Sequence, residues 1–166
     1  LDLARYAETF GHEFDYEMPD AWRYRDYVVN TMNHDLPLDQ FVTEQIAGDL
    51  LPPRAAMNLP NVAPIATAWW FLGPAVHAPI DVRQDEADRI AGSIDVLGRS
   101  FFGLSVACAR CHDHKFDPIP TVDFYALSGV IRNTRRVNGF VDTDSRANNF
   151  LISAIESFNA SQSALN

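Results

Sequence analysis

The sequence predicts a mainly α-helical single domain with long irregular segments. Three observations carry that expectation. Apolar residues make up 47% of the 166-residue chain, enough to build a core. In several stretches they recur at three- and four-residue spacing, the period of a helix with one buried face. Between those stretches stand clusters of proline, above all Pro53, Pro60, Pro64, Pro74 and Pro79 across residues 52–80, which no long element survives. No internal repeat is visible.

From the start, LDLARYAETF reads as a helix, with Leu1, Ala4 and Ala7 on one side and Leu3 and Phe10 beside them. Gly11 and Pro19 punctuate the segment after it. Asp20 is placed to cap AWRYRDYVVNTMN through its side chain, and that helix is expected to end near Asn33. Its apolar stripe is Trp22, Tyr24, Tyr27, Val28 and Met32. After the HDLP turn comes LDQFVTEQIA, with Leu38, Phe41, Val42 and Ile46 on one face. Gly48 and then Pro52-Pro53 mark its end. IATAWWFLG is too short to span a bilayer and reads as a buried helix or strand.

The longest periodic run is residues 81–112. Ala87, Ile90, Ile94, Leu97, Phe101 and Leu104 predict a core-facing helix, bent near Gly98 or Gly103, whose C-terminal end carries the cysteines. Pro118 and Pro120 force an extended link, and Thr121 is placed to cap VDFYALSGVI, with Phe124, Leu127 and Ile131 facing inward. Past Arg132 the pattern weakens. The division expected is a helical domain over 1–135 and a peripheral C-terminal segment over 136–166.

A net charge of −9 argues against nucleic acid or an anionic membrane surface as partner. No run of about 18 uncharged apolar residues is present to span a bilayer. The chain starts at Leu1, in the middle of a helical pattern, so an upstream segment or a second chain is a candidate partner for its first helix. Asp81, Asp85, Glu86, Asp88 and Asp95 lack the glycine and closing glutamate of a calcium loop and read as a solvated helix face.

The chemistry concentrates at one place. The chain has two cysteines, and both lie in Cys108-Ala-Arg-Cys111-His112. C-x-x-C-H is the attachment signature of a c-type haem. Two thiols at this spacing reach the two vinyl groups on one edge of a porphyrin, and the adjacent imidazole binds iron axially. The expected cofactor is therefore covalent haem c, held by Cys108 and Cys111 with His112 on the iron. Two other uses of the same atoms stay open: a redox-active dithiol, and a metal ion such as zinc on Cys108, Cys111, His112 and His114, although adjacent ligands are cramped for a closed site. His114 and Arg110 are candidate cofactor contacts, His114 towards a propionate, a ligand or Asp117. Asp113 or Asp117 could fix His112 through its Nδ1–H, as could a backbone carbonyl. For the opposite haem face His77 has the most suggestive context, beside WWFLGP; His12, His34, Met18, Met32, Met57, Tyr16 and Tyr125 are further candidates.

GLSVACARCHDHKFDPIPTVDFYALSGVI (103–131) resembles the core motif of the planctomycete cytochrome-c-associated domain family, DUF1549. LDLARYAET, AWRYRDYVVNTMNHDLPLDQFVTEQIAGDLLP and IATAWWFLG resemble its other blocks in the same order. The likeness fades beyond about Arg135. Cys108, Cys111, His112, Asp113, His114, Lys115, Asp117 and Pro118 are the matching motif positions. The resemblance implies a secreted redox context, a periplasmic or extracellular location and a chain truncated at its start. It implies a cofactor and its place more than it implies a reaction. The leading expectation is a c-type haem protein that passes electrons to a redox partner protein. The alternatives are a haem enzyme with an open distal side acting on peroxide, oxygen or a small-molecule substrate, and a metal-binding or disulfide-stabilised interaction module.

Overall fold

The computed structural model describes residues 1–12, 15–52 and 62–134. The expected segment 136–166 and the candidate Met57 lie outside these. Among the described residues the chain is mainly helical, with no sheet and a single isolated antiparallel bridge, Thr9 to Glu17. The helices are α1 (Ala21–Asn33), α2 (Leu38–Ala47), α3 (Ala63–Ala66), α4 (Val82–Leu97) and α5 (Thr121–Arg132). No described helix is long and apolar enough to cross a membrane.

The expected first helix is not formed. Asp2–Ala4 makes one 3-10 turn, which Arg5 ends in the left-handed region at φ 56°. The chain then runs extended and pairs back on itself: Phe10 N–H donates to Tyr16 O and Met18 N–H to Glu8 O, each at 2.8 Å. The Arg5 side chain is packed against distant parts of the chain. Its guanidinium fills the notch left by Gly92 in α4, where an added Cβ would lie 2.6 Å from Nη1, and it also rests against Gly73. Burial lowers the Arg5 pKa from its ordinary value, and nearby Asp95 opposes that shift.

α1 and α2 end where the sequence predicts, but their faces and caps differ. Asp20 does not cap α1 with its side chain; it sits at φ 65° and its carboxylate pairs with Arg23 at 2.9 Å. Tyr24 and Tyr27 are buried as expected, while Trp22 and Met32 are exposed and Ala21 and Thr31 complete the buried face. On α2, Leu38 and Ile46 are exposed while Glu44 and Gln45 are buried. The inversion has a polar cause. Tyr27 Oη–H donates to Glu44 Oε2 at 2.8 Å, and Tyr24 Oη–H donates to Gln45 Oε1 at 2.9 Å. Trp69, in the 3-10 turn Thr67–Phe71, donates its Nε1–H to the Gln45 carbonyl at 2.8 Å. Buried polar groups so paired avoid the penalty of lost hydration. Gly48 ends α2 and lets the Ala63 carbonyl approach so closely that any Cβ there would overlap it.

Burial pushes the Tyr24 phenol up to about 12 from 10.0, against the opposing hydrogen bond to Gln45. A phenol whose pKa is raised by folding stabilises the fold fully below its unfolded value. That contribution is lost as pH rises towards the folded value. Stability should therefore fall between about pH 10 and 12, and the fall should be shallower in Tyr24→Phe when both proteins are titrated with urea across that range.

Two packed clusters matter for the site. The first joins Met18, Ala21, Tyr24, Trp69, Leu72, Val96 and Leu97, with Phe10 at its margin. The second joins Ala91, Ile94, Val106, Ala109 and Phe124, with Ile119 and Ile131 partly buried against it. α4 contributes to both clusters, so it is the wall on which the cysteine segment is mounted.

Candidate functional site

The cysteine segment is not the end of α4. The helix passes into a π turn at Gly98–Phe102, and Gly103 closes it at φ 65°. Gly98 is needed because the Leu104 carbonyl doubles back onto it: an added Cβ would lie 2.7 Å from that oxygen and 3.0 Å from Val106 Cγ2. Leu104 N–H donates to Gly98 O at 3.0 Å and seals the reversal. A separate 3-10 turn, Val106–Arg110, then carries Cys108. Val106 and Ala109 point into the second cluster, which leaves Cys108 and Cys111 on the exposed side as free thiols.

Each residue of His112-Asp113-His114 has a different task. His112 is exposed, and its Nδ1 lies 2.7 Å from the Asp113 carbonyl oxygen. An oxygen of that kind only accepts, so Nδ1 bears the proton and Nε2 is left as the basic nitrogen. No partner occupies Nε2 among the described residues. Of the partners expected for His112, the backbone carbonyl is the one found. The Asp113 carboxylate instead accepts from Thr121 N–H at 2.8 Å and so caps α5 from a distance. Thr121 itself does not cap; it is the first helical residue, after Pro120. Asp113→Ala should cost about 1 kcal/mol of stability by urea titration, the usual loss for a missing cap.

His114 is turned inward, with 6% of its side chain exposed. Its Nε2 lies 2.9 Å from Ser105 Oγ, and its Nδ1 accepts from Asp117 N–H at 2.9 Å and Phe116 N–H at 3.3 Å. Both ring nitrogens are thus engaged. This counts against the four-ligand zinc alternative, and no group of three or more His, Cys, Asp or Glu side chains suited to a metal ion occurs among the described residues.

Arg110 does not project freely. Its Nη2 lies 2.8 Å from Asp88 of α4, and its carbonyl accepts from Tyr125 Oη–H of α5 at 3.1 Å. Hydrogen bonds from Gln84 and then from Arg110 lower the Asp88 pKa. The acidic face of α4 is consumed in the same way. Asp81 caps the helix by accepting from Arg83 and Gln84 N–H, Asp85 pairs with Arg89, and Asp95 pairs with Arg99. Around the motif, Phe116, Val122 and Tyr125 are exposed.

His77 lies elsewhere. It lines a pocket of about 250 Å³ with Phe10, Gly11, His12, Tyr16, Ala75 and Val76, and its ring is 5.4 Å from that of Tyr16. No motif residue lines this pocket, which adjoins the first cluster through Phe10. His77, His12 and Tyr16 share this pocket, whose lining includes no residue of Cys108–His112. Met18 is buried in the first cluster, Met32 is exposed on α1, and His34 Nδ1 is 2.7 Å from Asn30 O. Sequence reasoning missed Ser105, which lacked any signal because its importance arises only when His114 folds back onto it.

These features define a small helical domain that presents a C-x-x-C-H segment on its surface, braced by α4 and α5. The chain belongs to the planctomycete cytochrome-c-associated domain family PSCyt2, described as a protein of unknown function (DUF1549), which it matches over residues 1–136. Neither a curated protein nor a solved structure matches the chain significantly.

Proposed function

We propose that the chain is a c-type haem protein that transfers electrons in a periplasmic or extracellular redox process. The observation that carries this reading is the state of the motif: two exposed free thiols, one on the Val106–Arg110 turn and one just past its end, followed by a histidine whose Nδ1–H is fixed by a carbonyl while Nε2 has no partner among the described residues. That is the donor set a covalent haem requires. When bound, the haem iron supplies one-electron exchange between its ferric and ferrous states. Cys108 and Cys111 would each add an S–H across one vinyl group, so that two thioethers form and no atom is lost. His112 would hold the iron through Nε2, its ring oriented by the Asp113 carbonyl. Phe116, Val122 and Tyr125, 83%, 68% and 57% exposed, offer apolar surface suited to a porphyrin ring. The family's association with cytochrome c in name agrees with a redox role and a redox partner.

The test is the intact mass of the protein matured in a host that attaches haem c, measured after denaturation. The reading expects an increase of one whole haem, and an unchanged polypeptide mass would reject it.

A further inference from the structure

We propose that His114 is the positioning residue of the motif, an imidazole that bolts the turn ahead of Cys108 to the turn behind His112. Backbone N–H groups only donate, so the bonds from Asp117 N and Phe116 N require an unprotonated Nδ1. In the neutral ring Nε2 then carries the proton, and it donates to Ser105 Oγ. Asp117 Oδ2 also lies 3.3 Å from Nδ1, beside the Asp117 amide that donates to the same nitrogen.

Both ends of this bolt touch the motif. Ser105 precedes the Val106–Arg110 turn, and its carbonyl accepts from Cys108 N–H at 3.1 Å. Beyond His112, the His114 N–H donates to Ile119 O at 2.9 Å, and Ile119 packs on the second cluster. Cys108 and His112 are thus held between two segments that one buried ring joins. Without that ring a serine hydroxyl and two backbone N–H groups lose their partner together. His114, with both ring nitrogens engaged by the protein, acts through Cys108 and His112. The consequence for haem rests on the function proposed above; the bolt itself rests on geometry alone.

Three variants and two readouts test it. His114→Ala removes both ends of the bolt, Ser105→Ala removes one, and His114→Asn keeps an acceptor near the position of Nδ1. The first readout needs no haem: long-range proton–nitrogen NMR of the unloaded protein should show the Nε2–H form of His114, and an Nδ1–H ring would overturn the proposal. In the same samples, amide exchange at Cys108 should rise about five- to tenfold in Ser105→Ala while α4 amides stay protected. Unchanged exchange at Cys108 would also overturn it. The second readout is the haem-bearing fraction of folded protein after maturation. It should fall several-fold in His114→Ala and recover in His114→Asn, with the iron spectrum unaltered in the loaded Asn variant. Equal loading of Ala and wild type, or a changed iron spectrum in His114→Asn, would overturn the role. Should His114→Ala not fold, Ser105→Ala and His114→Asn carry the same comparisons. If the wild type takes no haem, the function proposal fails while the NMR and exchange arms still judge the bolt.

Discussion

Replacing both Cys108 and Cys111 with alanine should abolish covalent haem, seen as complete loss of haem staining on a denaturing gel. Each single replacement should leave a protein with one thioether, stained more weakly and with its reduced absorption band moved towards longer wavelength because one vinyl group stays conjugated. The expectation rests on the placement of the segment. Val106 and Ala109 anchor it to the second cluster, and the cysteines alternate with them onto the exposed side. Removing the thiols deletes no core contact, so the double variant should fold as the wild type does. Circular dichroism can check this, which separates loss of the reactive groups from loss of the domain. The chain has no other cysteine to substitute for them.

The largest stability effect is expected at Trp69, where replacement with alanine should cost about 3–5 kcal/mol in urea unfolding. Trp69 is 1% exposed, stacks on Trp70 with ring centroids 4.0 Å apart, and meets Phe101 at 5.6 Å. Its removal leaves a cavity in the first cluster, and it leaves the Gln45 carbonyl without the indole N–H. That carbonyl belongs to the residue whose side chain receives Tyr24 Oη–H. The loss therefore reaches α1 and α2 as well as the 3-10 turn that holds Trp69. Trp69→Phe should retain most of the packing and cost about 1–3 kcal/mol, the penalty for the stranded acceptor.

How much of this was legible in the sequence differs from element to element. The ends of α1 and α2 were, because proline and glycine act locally: Gly48 follows the last residue of α2, and Pro52 forbids continuation. The buried face of α2 was not. Apolar periodicity selects Leu38 and Ile46, whereas the fold buries Glu44 and Gln45, whose side-chain oxygens accept from two tyrosines of another helix. The first ten residues resembled a helix by spacing, whereas they form one 3-10 turn and an extended stretch, with Arg5 packed in the Gly92 notch, a long-range contact that spacing cannot show. The break near Gly98 and Gly103 was legible from those glycines, but not the full reversal, which needs the Leu104 carbonyl to fold back onto Gly98.

At the site, the C-x-x-C-H spacing was read directly, since the residues that share the chemistry are adjacent in the chain. What adjacency hid was the division of labour in His112-Asp113-His114. One histidine offers a free nitrogen, the aspartate caps α5, and the second histidine uses both nitrogens internally. Arg110, a candidate cofactor contact by position, has its guanidinium paired with Asp88 of α4.

The central claim is that the thiols of Cys108 and Cys111 carry a haem. The most direct measurement is a pyridine haemochrome spectrum of the matured wild-type protein, recorded before and after acid–acetone extraction. The predicted result is a reduced band at shorter wavelength than that of free protohaem, owing to the two saturated vinyl groups, with the colour staying on the polypeptide through extraction. Colour that leaves with the solvent, or a protein with no haem band at all, would contradict it.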